Sequence, residues 1–493
     1  MKTISCQHAI LSNHDIVISI QTDTNTKTRP GGLPEAAESV TLRFMWKTGV
    51  IQPEPVTGQF PGNLRAMVDL YRTCLNDGAE LVVCPALALG GMHTGELALR
   101  SGFKPQQQAA LEYLAREIMD IPLLLGPQSP DSPECYLIRS GSIHACNGSG
   151  ETPATLAVCR KTGVTDFRIV PYGDFADATP GLLLRFSNAP WHEGWLERDE
   201  EESRRLAQEN KLPVLTARLA GGEGPCLLPG ASSLWFGDRT LHGRLKLFER
   251  DAAVFAGNTA EKKEPSLPTG PEQLCMALNK GMSTFIAQSN HDTVCLNPEE
   301  GNSGPLLLHL LSDILPPSQI SVFLSDQEGL SARLAEQYGV HTVIMPTVDD
   351  ANELTTACRF RQWADEKEAL LLSALNGTDT ALNHSRTQAA VLADFMPLGD
   401  LYETELAGLF PRPAPHDPAP DQPQRDLLLA RMRREHVSAT HLSTLMPECE
   451  TDIRRLQRRM RRQEWLWRKL PPRLMLRSTP GEPQIPAIHQ LKD

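Results

Sequence analysis

From position 40 onward, apolar residues fall into two rhythms that take turns along the chain. Residues 41–45 alternate and predict a strand. Residues 62–77 carry apolar positions three and four apart and stop at Gly78, as an amphipathic helix does. The short apolar run 79–84 predicts a buried strand. A helix is expected over 106–119, a strand over 122–125, a helix over 203–210 and a strand over 213–217. Strand and helix in this order, as far as about Phe255, define a layered α/β domain, drawn here as 41–256. Residues 1–40 are polar after a first apolar patch, and 22–38 hold Pro and Gly with little to bury, so 1–40 is expected to be a mobile arm.

A second series follows. Residues 257–269 are polar with two prolines, and a linker is drawn over 257–275. Strands are predicted at 294–296, 320–324, 340–345 and 369–375. Helices are predicted at 305–314 and from a Ser325 or Asp326 cap through Tyr338, with Gly339 ending the second. This is a βαβ series, assigned to 276–412. Six prolines between 411 and 424 predict a stiff spacer, drawn as 413–424. Residues 425–493 form a tail, helical over 425–468 and strongly basic. No internal repeat is visible.

Composition narrows the function classes. The 493 residues suffice for two or three domains at roughly 150 residues each. The net charge of −12 argues against a general nucleic-acid coat. No apolar run approaches the roughly 20 residues of a membrane span, and Asn13, His14 and Asp15 interrupt any leader-like stretch. Eleven cysteines stand singly, none in a CxxC pair or at metal spacing from a histidine. A cytoplasmic protein with reduced thiols and no bound metal is expected.

One segment carries the chemistry. Residues 293–304 read TVCLNPEEGNSG: a strand, a Gly- and Ser-containing loop, then an apolar helix. Such a loop cradles a phosphate, because backbone N–H groups and a helix N-terminus converge there. Here Pro298 removes a donor, and Glu299 and Glu300 repel a polyphosphate.

Several stretches together resemble a known family. Leu81 to Met92 (LVVCPALALGGM) is similar to the nitrilase-superfamily segment that ends a strand and delivers a catalytic glutamate. Arg160-Lys161 resembles the segment that delivers the catalytic lysine, and 187–191 (SNAPW) with 218–224 (RLAGGEG) resembles the later part of that domain. Residues 373–379 (SALNGTD) and 397–405 (PLGDLYETE) are similar to the ATP- and substrate-binding segments of NAD synthetases, and the tail around 463–472 resembles that family's basic C-terminal segment. In this order, the motifs resemble the glutamine-dependent NAD synthetase family. The resemblance implies a four-layer αββα nitrilase-like domain, then a doubly wound α/β (adenine-nucleotide-hydrolase-like) synthetase domain, then a basic helical tail.

It also exposes departures. Amide hydrolysis in the superfamily needs a thiolate, a carboxylate and a lysine. Ala86 occupies the glutamate position, Lys161 the lysine position, and no cysteine lies between Cys159 and Cys226, where the nucleophile is expected after a strand. Against the resemblance, a strand and its elbow are missing there; the alternative is that Cys159 or Cys226 serves. In the synthetase half, Asn302 and Ser303 match the end of the phosphate loop, and Asn376, Thr378 and Asp379 match an Asn-x-Ser/Thr-Glu pattern in which Gly377 replaces a cation. Asp400 matches the later substrate segment, and Glu403 stands where the resemblance implies lysine. One like-charge contact at ~4 Å costs about 4 kcal/mol at an effective dielectric of about 20, against about 8 kcal/mol for micromolar affinity.

The expectation is a degenerate relative of such a synthetase, acting as scaffold or regulator through self-assembly or an active paralogue. No cofactor is expected on this reading; ATP with magnesium and deamido-NAD are implied if activity persists, as synthetase or altered amidase. A third reading is nucleic-acid binding through the tail arginines, set against docking of that helix by Leu456, Met460, Trp465 and Leu466.

Overall fold

The computed structural model describes residues 15–22, 47–92, 95–129, 134–146, 154–160, 163–170, 182–256, 267–298, 301–325, 329–345, 353–410, 419–467 and 469–477. The chain divides into two compact units, one of Met1–Pro190, Gly194–Glu223 and Leu228–Leu267, the other of Trp191–Glu193, Gly224–Leu227 and Pro268–Asp493.

The first unit contains two large sheets. One has six strands: Asp251–Ala256, Lys47–Gln52, Leu81–Cys84, Leu123–Leu125, Cys135–Arg139 and Ser142–Cys146, in spatial order. The other has seven: Leu241–Arg244, Ser233–Trp235, Val214–Ala217, Leu183–Ser187, Asp15–Thr22, Gly163–Val170 and Ala154–Arg160. Successive side chains on a strand point to opposite faces, and the burial follows that period. Leu81 and Val83 join Leu184 and Leu215 in a core shared by both sheets. Val82, Leu123 and Leu125 turn outward onto helices Phe60–Asn76 and Phe103–Glu117. Leu183 and Val214 turn outward on the other sheet onto Leu206 and Ala207 of helix Trp195–Asn210. Helix, sheet, sheet and helix therefore stack in four layers, the αββα arrangement.

The N-terminal arm needs correction. Asp15–Thr22 is a strand, paired antiparallel with Gly163–Val170 on one side and Leu183–Ser187 on the other. Its alternation IVISI is a strand signal that the neighbouring polar residues concealed. The expected strand at 41–45 lies outside the described residues; the strand found nearby is Lys47–Gln52.

The second unit is built on four parallel strands in the order His341–Ile344, Ile320–Leu324, Val294–Leu296, Leu370–Leu372. Chain order reverses between Val294–Leu296 and Leu370–Leu372, which makes a switch point of a doubly wound sheet. The drawn linker is too long. Helix Gly270–Gln288 begins inside it, set by a Thr269/Glu272 capping box. The helix before Tyr338 begins at Leu330 with Gly329 at its N-cap instead of Ser325 or Asp326, and Gly339 ends it at φ 66°.

The tail is not a separate appendage. It forms helices Gln422–Arg433, Ala439–Leu445 and Glu450–Trp467, the first starting within the expected spacer. Leu428, Leu429, Leu442, Ile453 and Leu456 share one buried cluster with Ala381 and Tyr402 of the preceding α/β part.

Candidate functional site

At the end of strand Leu81–Cys84, Leu87 sits in the left-handed region at φ 58°. That conformation costs a non-glycine residue roughly 1–2 kcal/mol. The chain turns sharply there, and Ala86 faces the inter-sheet core with its carbonyl accepting a 2.9 Å hydrogen bond from Asn188 Nδ2. Asn188 Oδ1 is buried without a partner. The side chain that this turn places against the core is a methyl group. Lys161 lies outside the described residues, as does the segment 171–181. The strands that flank 171–181 are held apart by Asp15–Thr22, which pairs with both. Cys226 is buried, and burial pushes the Cys74 thiol up to about 12 and Cys84 well above its ordinary value. Neither of the latter is a thiolate at neutral pH.

A buried ion-pair network braces the same unit. Asp199 accepts from Arg185 Nη2 at 2.6 Å and from Arg218 Nε at 2.8 Å. Burial raises the Asp199 carboxyl, but Arg218 and Arg185 outweigh it and hold it below the ordinary carboxylate value.

In the second unit, a cavity of about 830 Å³ opens beyond the carboxyl ends of the parallel strands, against Asn297, Pro298, Ser325, Met345, Ser373 and Ala374. Ligands of doubly wound sheets bind at this place. It adjoins a second cavity of about 900 Å³ at the N-terminus of helix Ser303–Ile314, and Ala374 and Arg386 line both. Asn376 organises the second cavity. Its side-chain oxygen caps helix Gly377–Leu382 through Thr378 N and Asp379 N at 2.8 and 3.0 Å. Its Nδ2 donates to Ser303 Oγ at 2.8 Å and to Glu403 Oε2 at 2.6 Å. Asn302 Nδ2 donates to Glu403 Oε1 at 3.1 Å. Thr378 Oγ1 donates to Asp426 Oδ1 at 2.8 Å and accepts from Glu403 N at 3.0 Å.

Asn302, Ser303, Asn376, Thr378 and Asp379, separated by up to 77 positions, are therefore brought together as expected from the sequence. Asp400 is not among them. Its Oδ2 accepts from Leu476 N and Arg477 N at 2.9 and 2.7 Å, so it anchors the C-terminal segment. Glu299 and Glu300 lie outside the described residues.

Charge in the large cavity is mixed. Burial pushes the Asp379 carboxyl up to about 6, Asn376 N–H opposes this, and the carboxylates of Glu403, Glu353 and Asp426 add to it. Arg386 pairs with Asp379 at 3.1 Å. Arg425, Arg459 and Arg462 also line the cavity. Sequence reasoning missed this rim, although Arg459 and Arg462 are three apart on helix Glu450–Trp467 and so share a face. No group of three or more metal-binding side chains occurs among the described residues. No described helix is long and apolar enough to cross a membrane.

A four-layer αββα sandwich is joined in one chain to a doubly wound α/β unit that carries two adjoining cavities. The chain is similar to four glutamine-dependent NAD(+) synthetases. It is 22% identical over 425 residues to the glutamine-dependent NAD(+) synthetase of Rhodobacter capsulatus, spanning 72% of this chain and 76% of that one. It is 22% identical over 362 residues to that of Synechocystis, spanning 61% and 64%. No protein-family model matches the chain. Among solved structures it is similar to the glutamine-dependent NAD+ synthetase of Acinetobacter baumannii in complex with ADP, with TM-score 0.62 at 15% identity, covering 90% of this chain and 98% of that one. The Cytophaga hutchinsonii synthetase superposes with TM-score 0.67 at 12% identity and the same coverage.

Proposed function

We propose that the protein is a catalytically degenerate paralogue of glutamine-dependent NAD(+) synthetase, retained as a scaffold or regulator that works by self-assembly or with an active paralogue. The observation that carries this reading is the placement of Glu403. Its carboxylate is clamped between Asn302 and Asn376, beside the N-terminus of helix Ser303–Ile314. A helix N-terminus favours an anion, and here the anion is supplied by the protein itself. A triphosphate placed there meets a fixed negative charge, so the residues fit ATP poorly. The amidase half supports the same reading through the methyl group at Ala86.

A second reading, a residual NAD synthetase using ATP, magnesium and deamido-NAD, is favoured by one observation. Arg386, Arg425, Arg459 and Arg462 line the same cavity and could hold an anionic ligand from the rim. Co-assembly separates the two. Light scattering after size exclusion, with and without an active family member from the same host, is expected to give a dimer or larger, or a mixed complex. A monomer at micromolar concentration that captures no paralogue contradicts the scaffold reading.

A further inference from the structure

A third cavity, lined in part by the Gly377 turn, shares no lining residue with the two larger ones. It measures about 80 Å³, and its walls are Arg433, Arg434 and Arg473 with Asp400, Tyr402 and Gly377. The three guanidinium groups are not equivalent. Arg434 is satisfied: it binds Glu405 through Nη1 and Nη2 at 2.7 and 2.9 Å, donates to the Asp400 carbonyl at 2.6 Å, and lies 4.1 Å over the Tyr402 ring. Arg433 stacks 4.3 Å over the Trp467 ring and donates one long bond of 3.4 Å to the Gly377 carbonyl. A guanidinium has five donors, so most of its capacity is turned elsewhere. Burial chiefly depresses the Arg433 pKa, the Tyr402 hydroxyl opposes this, and the like charge of Arg473 adds to the depression. The nearby carboxylate, Asp400, already accepts the amides of Leu476 and Arg477.

Arg433 and Arg473 thus face one small polar space with one shared carboxylate, leaving an excess of one positive charge and of N–H donors. The space is too small for a nucleotide. Planar guanidinium forks match the oxygen spacing of a tetrahedral oxyanion.

We propose that this cavity is a binding site for a small inorganic oxyanion, phosphate or sulfate, held between Arg433 and Arg473. The ion would tie the end of helix Gln422–Arg433 to the segment around Arg473.

Calorimetry on the full chain with inorganic phosphate, and separately with sulfate, at ionic strength matched with chloride, tests this. One site per chain is expected. Arg473→Gln should weaken it by about 10- to 100-fold, the loss of a charge-assisted hydrogen-bond pair. Arg473→Lys, which keeps the charge and removes the fork, should weaken it by about tenfold. The double variant Arg459→Gln/Arg462→Gln removes cations from the large cavity only and should leave phosphate affinity within about twofold. Binding that survives Arg473→Lys and Arg473→Gln unchanged, or that disappears in the Arg459/Arg462 variant, places the ion elsewhere and overturns the proposal. So does no heat at millimolar phosphate with wild-type protein.

Discussion

Glu403 Oε2 accepts a 2.6 Å hydrogen bond from Asn376 Nδ2, the amide group of the residue that also caps helix Gly377–Leu382. The bond joins two segments that the sequence separates by 27 positions. It fixes a carboxylate beside the N-terminus of helix Ser303–Ile314.

Reversing that charge is the sharpest perturbation of the cavity. Wild-type protein is expected to bind magnesium-ATP more weakly than the low-micromolar range. Glu403→Lys should tighten binding by about 10- to 100-fold, the worth of one charge-assisted hydrogen bond of about 1.5–3 kcal/mol. Titration calorimetry on both proteins decides it, and a low-micromolar wild-type dissociation constant would show that Glu403 does not block the site.

Asp379 makes stability depend on pH. Its folded pKa is raised to about 6 from an ordinary 3.8, through burial first and neighbouring carboxylates after it. Between those values the folded chain keeps a proton that the unfolded chain releases. The stabilising contribution is complete below about pH 4 and is lost as pH rises through 6. About two pKa units at 1.36 kcal/mol each set an upper figure of about 3 kcal/mol. Relative to Asp379→Asn, wild-type stability in urea should fall by up to that amount between pH 4 and pH 7. A flat difference would place Asp379 at an ordinary pKa.

Asp199 holds two buried arginines, Arg185 and Arg218, the latter fully buried. Asp199→Ala leaves both guanidinium charges without their carboxylate. Breaking a buried pair costs about 3–5 kcal/mol, so a large drop in the melting temperature of the first unit is expected by calorimetry. A change under 1 kcal/mol would mean that water reaches the network.

The tail should behave as core. Leu429 is fully buried in the cluster that includes Ala381 and Tyr402. Leu429→Ala is expected to cost about 2–5 kcal/mol, and hydrogen exchange should quicken across helix Gly377–Leu382 as well as the tail. Exchange confined to the tail would show that it folds separately.

Sequence periodicity located most of the elements because their burial is regular. Strands Val294–Leu296 and Ile320–Leu324 match the expected bounds, and Gly339 ends its helix through the left-handed conformation glycine tolerates. Strand Asp15–Thr22 was obscured because its partners lie some 150 positions away and its own surroundings are polar. The clustering of Asn302, Ser303, Asn376, Thr378 and Asp379 was legible through motif order. The arginine rim was not, because Arg459 and Arg462 sit in a helix whose arginines sequence reasoning weighs only between nucleic-acid binding and docking of the helix. Asp400 was misplaced for a related reason: its carboxylate serves backbone N–H groups 76 and 77 positions away.

Product formation tests the central claim most directly. Purified full-length protein would be incubated with magnesium-ATP and deamido-NAD, with glutamine or ammonia as the nitrogen source, and NAD measured together with ammonia released from glutamine. The account predicts neither NAD formation nor glutamine hydrolysis above background, with Ala86→Glu failing to restore hydrolysis. NAD formed with glutamine, accompanied by labelling of one cysteine by an electrophilic glutamine analogue, would contradict it and identify a working synthetase.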